Sequence, residues 1–242
     1  MLIHSTGKTK KIIIFYYLCA MDSPIFDTLK QLPLFQGMAN DDFNTLLQKI
    51  RLDFVKYPPG SFICSAGDRC SHFTFLIGGT AESSRRGESD RFVFHEKIGS
   101  PHLIEPYSMF GVTGSYRRDY EAVDTCSVLN VDKQYVYTEI GKYNICRMNL
   151  LNILSGRVQQ ADRHTWEIDE FSLRHRIARL IYGLSDIPYG EKRLSITMND
   201  LAALMDTTRL NVSRELNALS ADGLIVLRRK EIHIPALEKI TG

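Results

Sequence analysis

The stretch DLAALMDTTRLNVSRELNAL, residues 200–219, carries two short helical patterns that are interrupted at Asp206-Thr207. The first pattern has an apolar side formed by Leu201, Ala202, Leu204 and Met205. In the second pattern the apolar residues repeat at spacings of four and three: Val212, Leu216 and Leu219. Thr208 stands where a helix N-cap is expected. The stretch therefore predicts two amphipathic helices joined by a tight turn.

Polar side chains of the second helix point away from its apolar side. They are Arg209, Asn211, Ser213 and Arg214. Arginine can donate two parallel hydrogen bonds to guanine, asparagine can do the same for adenine, and serine can reach a base or a phosphate. Helix pairs with surface arginines also occur in proteins that bind no DNA. The pattern is nevertheless typical of a helix-turn-helix that reads DNA, with Arg209 and Arg214 as base readers.

The flanking segments complete a small domain. Upstream, one face of FSLRHRIARLIYGLS is apolar: Leu173, Ile177, Leu180, Ile181 and Leu184. Pro188 and Gly190 end this helix, and Thr197 or Asn199 is expected to cap the next one. Downstream, DGLIVLRRKEIHI predicts a hairpin whose tip, Arg228, Arg229 and Lys230, forms a wing suited to phosphates. Residues 171–242 hold 11 Lys and Arg against 8 Asp and Glu, which is compatible with a polyanionic partner.

A long helix is predicted before this domain, from near Lys142 to about Glu167. Its apolar positions follow alternating steps of three and four: Leu151, Leu154, Val158, Ala161, Thr165 and Ile168. Because the rest of the segment is polar, we expect a homodimer interface formed by Leu151, Leu154, Val158 and Ala161. The alternative is a surface helix packed on its own domain. A dimer fits the DNA-reading prediction, because paired readers cover two half-sites one DNA turn apart.

Residues 52–132 consist of short β-rich runs, such as FTFLI, RFVFHEKI and CSVLNV, between glycine- and proline-containing turns. Runs at this spacing indicate an all-β barrel or sandwich. Before them, residues 26–50 predict two short helices, interrupted by Pro33 and Gly37. The predicted organisation is a β-rich domain at 21–141, a dimerisation helix at 142–169 and a winged helix-turn-helix at 170–242.

Residues 1–20, MLIHSTGKTKKIIIFYYLCA, have the basic start and apolar run of a short signal peptide, but no A-x-A-like cleavage site follows. The run is too short to span a bilayer. We expect a disordered or spurious extension rather than an export signal, and no membrane association. The five cysteines form no C-x-x-C pair and are odd in number, which favours a reducing cytoplasm.

Patterns for catalysis or metal binding are sparse. His72, His95 and His102 lie in the β-rich region without H-x-H or H-E-x-x-H spacing, so no metal site is predicted. The cysteines lack the close grouping of four thiolates that an iron–sulfur cluster needs. No P-loop, G-x-S-x-G or dinucleotide glycine pattern occurs, so no catalytic residues and no enzyme activity are predicted. The cofactor stays unassigned.

Three segments resemble the Crp/Fnr family of transcription regulators, and the likeness extends from Phe26 to Pro235. YPPGSFICSAGDRCSHFTFLIGGTAE resembles the opening strands of the family's β-roll. Its matching turn residues are Gly60, Gly67, Asp68 and Gly79. RHRIARLI resembles the start of the DNA-binding domain. ITMNDLAALMDTTRLNVSRELNALSADGLI resembles the helix-turn-helix over thirty positions and is the most specific match.

The resemblance implies an α+β fold: an N-terminal double-stranded β-helix (jelly roll) as sensor domain, a long dimerisation helix and a C-terminal winged helix-turn-helix. The family's reader positions fall on Arg209, Leu210, Ser213 and Arg214. The DNA-binding set is completed by Thr208, Asn211, Arg228, Arg229 and Lys230. Leu210 departs from the family, since many members have a glutamate there that accepts a hydrogen bond from cytosine. A leucine could instead contact a thymine methyl group.

The effector site departs further from the family. Members that bind cyclic AMP hold it with a Gly-Glu pair and, about ten residues later, an Arg-Ser pair. Here Glu105-Pro106 and Tyr116-Arg117 stand at those places. We therefore expect a different effector, such as haem, a redox species or an organic anion. The expected pocket residues are Tyr107, Tyr116, Arg117 and Arg118. The alternative is that the two arginines form a solvated face.

Together these patterns predict a homodimeric DNA-binding transcription regulator under the control of a small molecule. Its partners would be double-stranded DNA, a second copy of the chain, RNA polymerase and an unidentified small-molecule effector. The alternative is a jelly-roll small-molecule-binding protein or metal-dependent enzyme whose C-terminal helices serve only for assembly. That alternative predicts a bound metal ion and no salt-dependent affinity for DNA.

Overall fold

A computed structural model of the chain describes residues 24–87, 89–162 and 172–241. The predicted extension at residues 1–20 lies outside this range. Among the described helices, none is long and apolar enough to cross a membrane.

Two short helices open the described chain, as predicted. They are α1 (Pro24–Lys30) and α2 (Asn40–Lys49), with a 3₁₀ turn at Pro33–Phe35 between them. Phe35 packs against Phe43 of α2 with 5.3 Å between ring centroids, and against Phe75 of the sheet with 5.8 Å. These aromatic contacts anchor the helices to the β-rich domain.

The strands of the described residues form two antiparallel sheets. The strands are β1 (Asp53–Tyr57), β2 (Phe62–Cys64), β3 (His72–Gly78), β4 (Thr80–Arg86), β5 (Phe92–Gly99), β6 (His102–Ile104), β7 (Asp119–Ala122), β8 (Cys126–Asp132), β9 (Lys192–Ile196), β10 (Val226–Arg228) and β11 (Glu231–Ile234). One sheet has the order β1-β8-β3-β6 and the other the order β10-β11-β9-β5-β4-β7-β2. The predicted strands FTFLI, RFVFHEKI and CSVLNV correspond to β3, β5 and β8.

The second sheet continues from the jelly roll into the winged helix-turn-helix. β2, β4, β5 and β7 belong to the jelly roll, whereas β9, β10 and β11 follow the long helix in sequence. The two groups meet where β5 pairs with β9, from Phe92 opposite Ile196 to Glu96 opposite Lys192. The sequence does not predict β9, a short strand whose partner in the jelly roll lies about a hundred residues away. One continuous sheet therefore connects both predicted domains.

Buried apolar residues form two clusters. The first, called the sensor core below, extends from Leu29 to Cys146. The second, called the C-terminal core, extends from Ile177 to Ile240 and also contains Phe94 of β5. Conversely, Ile187, which belongs to the predicted C-terminal domain, packs against the sensor core. Each predicted domain thus contributes an apolar side chain to the core of the other.

The remaining helices are α3 (Lys133–Thr138), α4 (Asn144–Asp162), α5 (Leu173–Leu184), α6 (Met198–Leu204), α7 (Arg209–Ala221) and α8 (Glu238–Thr241). They include the four that the sequence predicts, in the predicted order, and two short ones that it does not predict, α3 and α8; together with the sheets they confirm the α+β fold class. The long helix α4 begins two residues later than predicted, because a 3₁₀ turn occupies Ile140–Lys142. Its predicted end near Glu167 lies outside the described residues.

Candidate DNA-binding surface and buried ionic cluster

The helix-turn-helix consists of two side-chain-capped helices and a tight turn. Thr197 caps α6 by accepting a hydrogen bond from the amide of Asp200 at 3.1 Å. Thr208 caps α7 in the same way, accepting from the amide of Asn211 at 3.2 Å. Between the helices, Asp206 adopts a left-handed backbone with φ of +44°, which allows the chain to reverse. The apolar sides of both helices are buried in the C-terminal core, as predicted, except at Leu204. Leu204 was predicted to face inward, but its side chain is 38% exposed at the end of α6.

The predicted DNA-facing side chains of α7 lie on the surface. Arg209, Asn211 and Arg214 are exposed, and Ser213 is half-buried. Leu210 is 67% exposed, so its apolar side chain is not needed for packing within the chain. This face of α7 offers both hydrogen-bonding groups and an apolar group, which are the two kinds of contact that a DNA major groove accepts.

The predicted wing is the hairpin of β10 and β11, with Arg229 and Lys230 in its turn. Arg228, Arg229 and Lys230 are all exposed. A cleft of about 260 Å³ separates the wing from the helix-turn-helix, and Arg209, Arg228 and Lys230 line it together with neutral and acidic residues. Basic groups from α7 and from the wing thus border one cleft, as contacts to a phosphate backbone require.

One side of the long helix α4 is fixed to its own domain. The side-chain amide of Asn149 donates to the backbone oxygens of Leu34 and Gln36, at 3.1 and 2.8 Å. Cys146 is buried in the sensor core, and Leu150 packs against that core. This side of the helix matches the alternative in which α4 is a surface helix packed on its own domain.

Another side of α4 exposes apolar residues. Met148 is 48%, Leu151 54% and Val158 67% exposed, while Leu154 is half-buried. The side chain of Ala161 lies outside the described residues. The exposed residues follow one another at helical spacing, so they form a stripe that leaves apolar surface open to a partner.

The residues predicted to line an effector pocket separate into buried and exposed positions. Arg118 is 1% exposed, whereas the neighbouring Arg117 is on the surface. Tyr116 is buried, with its hydroxyl 3.0 Å from that of Thr74, and Tyr107 is half-buried. The solvated-face alternative therefore describes Arg117 but not Arg118.

Arg118 is part of a buried ionic cluster that joins the two domains and the long helix. The Asp186 cluster, as it is called below, consists of Glu96, Arg118, Arg157, Asp186 and Lys192. Arg118 lies 3.2 Å from a carboxylate oxygen of Glu96 and 3.2 Å from one of Asp186. Lys192 lies 2.8 Å from Glu96, and Arg157 pairs with Asp186. The Asp186 side chain is only 7% exposed.

The Asp186 carboxylate also accepts hydrogen bonds from two phenols. Tyr120 donates to one carboxylate oxygen at 2.9 Å, and Tyr107 donates to the other at 3.3 Å. The two arginines of the cluster donate to the neighbouring backbone oxygens of Leu184 and Ser185, at 2.6 and 2.7 Å. Four side-chain donors from the sensor domain and the long helix therefore converge on one carboxylate.

Opposite charges keep Asp186 and Arg118 ionised despite their burial. Burial alone would raise the pKa of Asp186, but Arg118 and Arg157 together bring that pKa below its ordinary value. Burial likewise opposes a charged Arg118, yet its pKa is raised, chiefly by Asp186. The pKa of Tyr120 is raised, first by burial and then by Asp186, so its hydroxyl stays a donor.

Glu105, which stands at the place of the family's Gly-Glu pair, is also buried, with 1% exposure. One of its carboxylate oxygens accepts from the Ser108 hydroxyl at 2.6 Å and from the amide of Arg117 at 2.9 Å. The other oxygen is buried without a hydrogen-bond partner. Burial raises the pKa of Glu105, although these two hydrogen bonds act in the opposite direction.

Arg118 was named from the sequence, as an expected pocket residue, but the other members of the cluster were missed. These are Glu96, Arg157, Asp186 and Lys192. The sequence pattern could have indicated two of them. Glu96 and Lys192 lie on the same face of their strands as buried apolar residues. A charged side chain on the apolar face of a strand indicates a buried ion pair. The partner of such a charge cannot be identified from the strand alone.

Histidines and cysteines do not assemble into a metal site within the described residues. No group of three His, Cys, Asp or Glu side chains that could hold a metal ion occurs there. The described cysteines are Cys64, Cys70, Cys126 and Cys146, all with free thiols. Burial raises the pKa of each thiol, that of Cys146 to about 11. Thiols of this kind are poor nucleophiles at neutral pH.

Comparison with known protein families matches both domains. Residues 54–143 match the cyclic nucleotide-binding domain family, and residues 175–241 match the Crp-like helix-turn-helix domain family. A sensor domain of the first kind followed by a DNA-binding domain of the second kind defines a class of transcription regulators. The chain is a member of this class, and it belongs to the Crp/Fnr family.

Individual relatives are distant in sequence. The cyclic AMP receptor protein of Thermus thermophilus is 25% identical over 208 residues, which cover 82% of this chain and 90% of that protein. Among solved structures, the catabolite activator protein of Thermus thermophilus is 24% identical with a TM-score of 0.49, covering 86% of this chain and 98% of that one. The c-di-GMP responsive global regulator CLP of Xanthomonas campestris is 18% identical with a TM-score of 0.47, covering 81% and 99%.

Proposed function

We propose that the chain forms a homodimer and reads a pseudo-palindromic DNA site with two winged helix-turn-helix domains, under the control of a small molecule other than cyclic AMP. The observation that supports DNA reading is the exposed face of α7, which carries Arg209, Asn211 and Arg214. Of these, Arg209 lines a cleft together with Arg228 and Lys230 of the wing. Double-stranded DNA, a second copy of the chain and RNA polymerase are the proposed macromolecular partners.

The contacts divide by chemistry. Arg214 and Arg209 read bases, since a guanidinium group can donate two hydrogen bonds to guanine. The side chain of Leu210 cannot accept a hydrogen bond, and it contacts a thymine methyl group. The half-site therefore differs in base preference from the half-sites of family members that have a glutamate at this position. Arg229 and Lys230 of the wing contact phosphates, which fixes the position of the domain without specifying sequence.

Fluorescence anisotropy with the DNA upstream of the chain's own gene tests this proposal. Arg214→Ala should weaken binding by about 1 to 3 kcal/mol, or roughly 5- to 150-fold, and relax the preference at one position. Arg51→Ala removes an exposed arginine from the sensor domain and should leave the affinity within about twofold.

The same titration is repeated over a salt series, because phosphate contacts make the affinity fall steeply with salt. Equal affinity of the parent and Arg214→Ala at every salt concentration would remove Arg214 as a base reader. If the chain binds no DNA even at the lowest salt concentration, the alternative function, a jelly-roll protein that does not bind DNA, is favoured.

Three features support an effector other than cyclic AMP. Pro106 has no backbone N–H to offer a phosphate. Tyr116, at the place of the family's arginine, is buried against Thr74 and carries no charge. Glu105 replaces the glycine of the family's Gly-Glu pair, so the close backbone approach that glycine allows is lost. Titration calorimetry with cyclic AMP and cyclic GMP should show no saturable binding in the micromolar range, and such binding would overturn this part of the proposal.

A further inference from the structure

The Asp186 cluster places a carboxylate of the C-terminal domain among cations that belong to the sensor domain and the long helix. Asp186 lies between α5 and β9, whereas Arg118 precedes β7 and Arg157 lies on α4. The carboxylate is nearly enclosed by these groups and by two phenols. It therefore occupies the site in the way that a bound anionic ligand would.

Neighbouring atoms dock the same short segment. The carboxylate of Glu96 accepts hydrogen bonds from the backbone N–H groups of Asp186 and Ile187, both at 2.8 Å. The side chain of Ile187 packs against the sensor core. The segment Ser185–Ile187 is thus held through the Asp186 carboxylate, two backbone N–H groups and the Ile187 side chain. These contacts together resemble those of a bound peptide.

The charge balance determines what could replace the Asp186 carboxylate. Arg118, Arg157 and Lys192 carry three positive charges, while Glu96 and Asp186 carry two negative charges. Removal of the Asp186 carboxylate would leave an excess of two positive charges out of water, which is unfavourable unless another anion enters. Two guanidinium groups and two phenol hydroxyls are all donors, and such a set suits the oxygens of a phosphate or a carboxylate.

We propose that the Asp186 cluster is the binding site for the oxyanion group, phosphate or carboxylate, of a small-molecule effector, and that Asp186 is the internal occupant that this group displaces. The inference rests on the proposed function and adds the chemical class of the effector. Arg118 and Arg157 bind the oxyanion, and Tyr107 and Tyr120 donate hydrogen bonds to it.

Displacement of Asp186 loosens the contact between the domains. The segment that carries Asp186 leads directly into β9, whose pairing with β5 continues the sheet across both domains. Glu96 of β5 both accepts from the docked segment and pairs with Lys192 of β9. When the segment leaves, this end of the β5–β9 pairing loses its anchor. Binding of the oxyanion is in this way coupled to the freedom of the DNA-binding domain.

Titration calorimetry on the full-length chain tests the site, with inorganic phosphate and malonate as probes at constant ionic strength. Ile187→Ala weakens the docking of the segment but changes none of the groups that bind the oxyanion. Because Asp186 then competes less well, at least one probe should bind about tenfold more tightly than to the parent. The probe that tightens more identifies the effector group as a phosphate or a carboxylate.

Two further variants sharpen the measurement. Asp186→Asn removes the competing carboxylate, so the same probe should bind at least as tightly as to Ile187→Ala. Asp222→Asn makes the same change at an exposed acid that pairs with Arg174, and it should leave the dissociation constant of the parent unchanged. If Asp186→Asn fails to fold, Ile187→Ala alone decides, since the partly buried Ile187 is peripheral to the sensor core.

Hydrogen–deuterium exchange supplies a second readout. The tighter probe should speed up exchange in peptides 92–99 and 192–196 of the parent, because their amides pair across the domain boundary. Peptides of β3 and β8, which pair within the jelly roll, should not respond. Arg157→Gln added to Ile187→Ala should abolish the tighter binding, because it removes one of the two guanidinium groups.

The inference would be overturned if each probe had equal dissociation constants for the parent, Ile187→Ala and Asp222→Asn. It would also be overturned if hydrogen–deuterium exchange in β9 changed with neither probe. Asp186 would then be a structural contact only. This failure is distinct from failure of the proposed function, which the Arg214-dependent DNA affinity tests separately. If the probe binds more tightly to Ile187→Ala but the chain binds no DNA, the inferred anion site is supported and the proposed DNA-binding function is contradicted.

Discussion

At the scale of single residues, Glu105 shows how burial changes an acid. Its carboxyl group is 1% exposed, and one of its oxygens has no hydrogen-bond partner. A carboxylate in such surroundings lacks the solvation that it has in the unfolded chain, and its pKa is raised for this reason. The folded protein therefore holds this proton more tightly than the unfolded protein does.

We expect Glu105→Gln to stabilise the protein increasingly as the pH rises above 4.5, the ordinary pKa of this group. The parent loses stability between this value and the raised pKa of the folded state, because its carboxyl group must ionise while buried. Glutamine does not ionise, and its oxygen can still accept from Ser108 and Arg117. Urea unfolding should show similar stabilities at about pH 4 and a gain for the variant at about pH 8.

Glu121→Gln provides the control for this change, because Glu121 is exposed on β7. It should show no gain that grows with pH. A gain for Glu105→Gln of equal size at both pH values would indicate a packing effect and contradict the titration of Glu105.

The buried and exposed faces of the helix-turn-helix were largely predictable because they depend on local geometry. The spacing of Val212, Leu216 and Leu219 determines which face of α7 is buried, and the opposite face then contains the proposed readers. The Asp186 cluster was not predictable in the same way. Arg118 and Asp186 are far apart in the sequence, and only the folded chain brings their charges together.

At the scale of elements, α7 depends on local sequence, whereas β9 depends on contacts with distant parts of the chain. The cap at Thr208 and the apolar spacing of α7 are contained in one short stretch, so its bounds follow from sequence. β9 alternates buried and half-buried residues over only five positions, and it becomes a strand through its pairing with β5 and β11. Short strands are therefore identified only when their distant partners are known.

The exposed stripe on α4 leads to a prediction about assembly. Leu151→Asp should place a charge in the apolar interface of the proposed dimer and convert it to a monomer, as measured by sedimentation equilibrium. Leu151 is 54% exposed in the single chain, so the change should leave the fold of the protomer intact. The monomer should also bind the pseudo-palindromic DNA more weakly, because only one half-site is then occupied.

Val112→Asp makes the same kind of change at a fully exposed residue outside α4 and should remain a dimer. An intact dimer in Leu151→Asp would exclude this stripe as the interface. The surface-helix alternative would then describe α4 better.

At the scale of the whole molecule, the two domains share more than a linker. The seven-stranded sheet runs from β2 of the jelly roll to β10 of the wing, and the Asp186 cluster lies beside the junction. Phe94, which the sequence assigns to the jelly roll, is fully buried in the C-terminal core. The stability of the DNA-binding domain therefore depends on a residue of the sensor domain.

We expect Phe94→Ala to destabilise the C-terminal domain by about 3 to 5 kcal/mol, because it leaves a cavity in a closely packed core. Hydrogen–deuterium exchange should show loss of protection in α5 and α7 and little change in β3 and β8. Phe73→Ala, an equally buried change in the sensor core, should give the reverse pattern. If Phe94→Ala affects only the strands of the jelly roll, its contact with the C-terminal core carries no stability, and the domains are joined by the sheet and the ionic cluster alone.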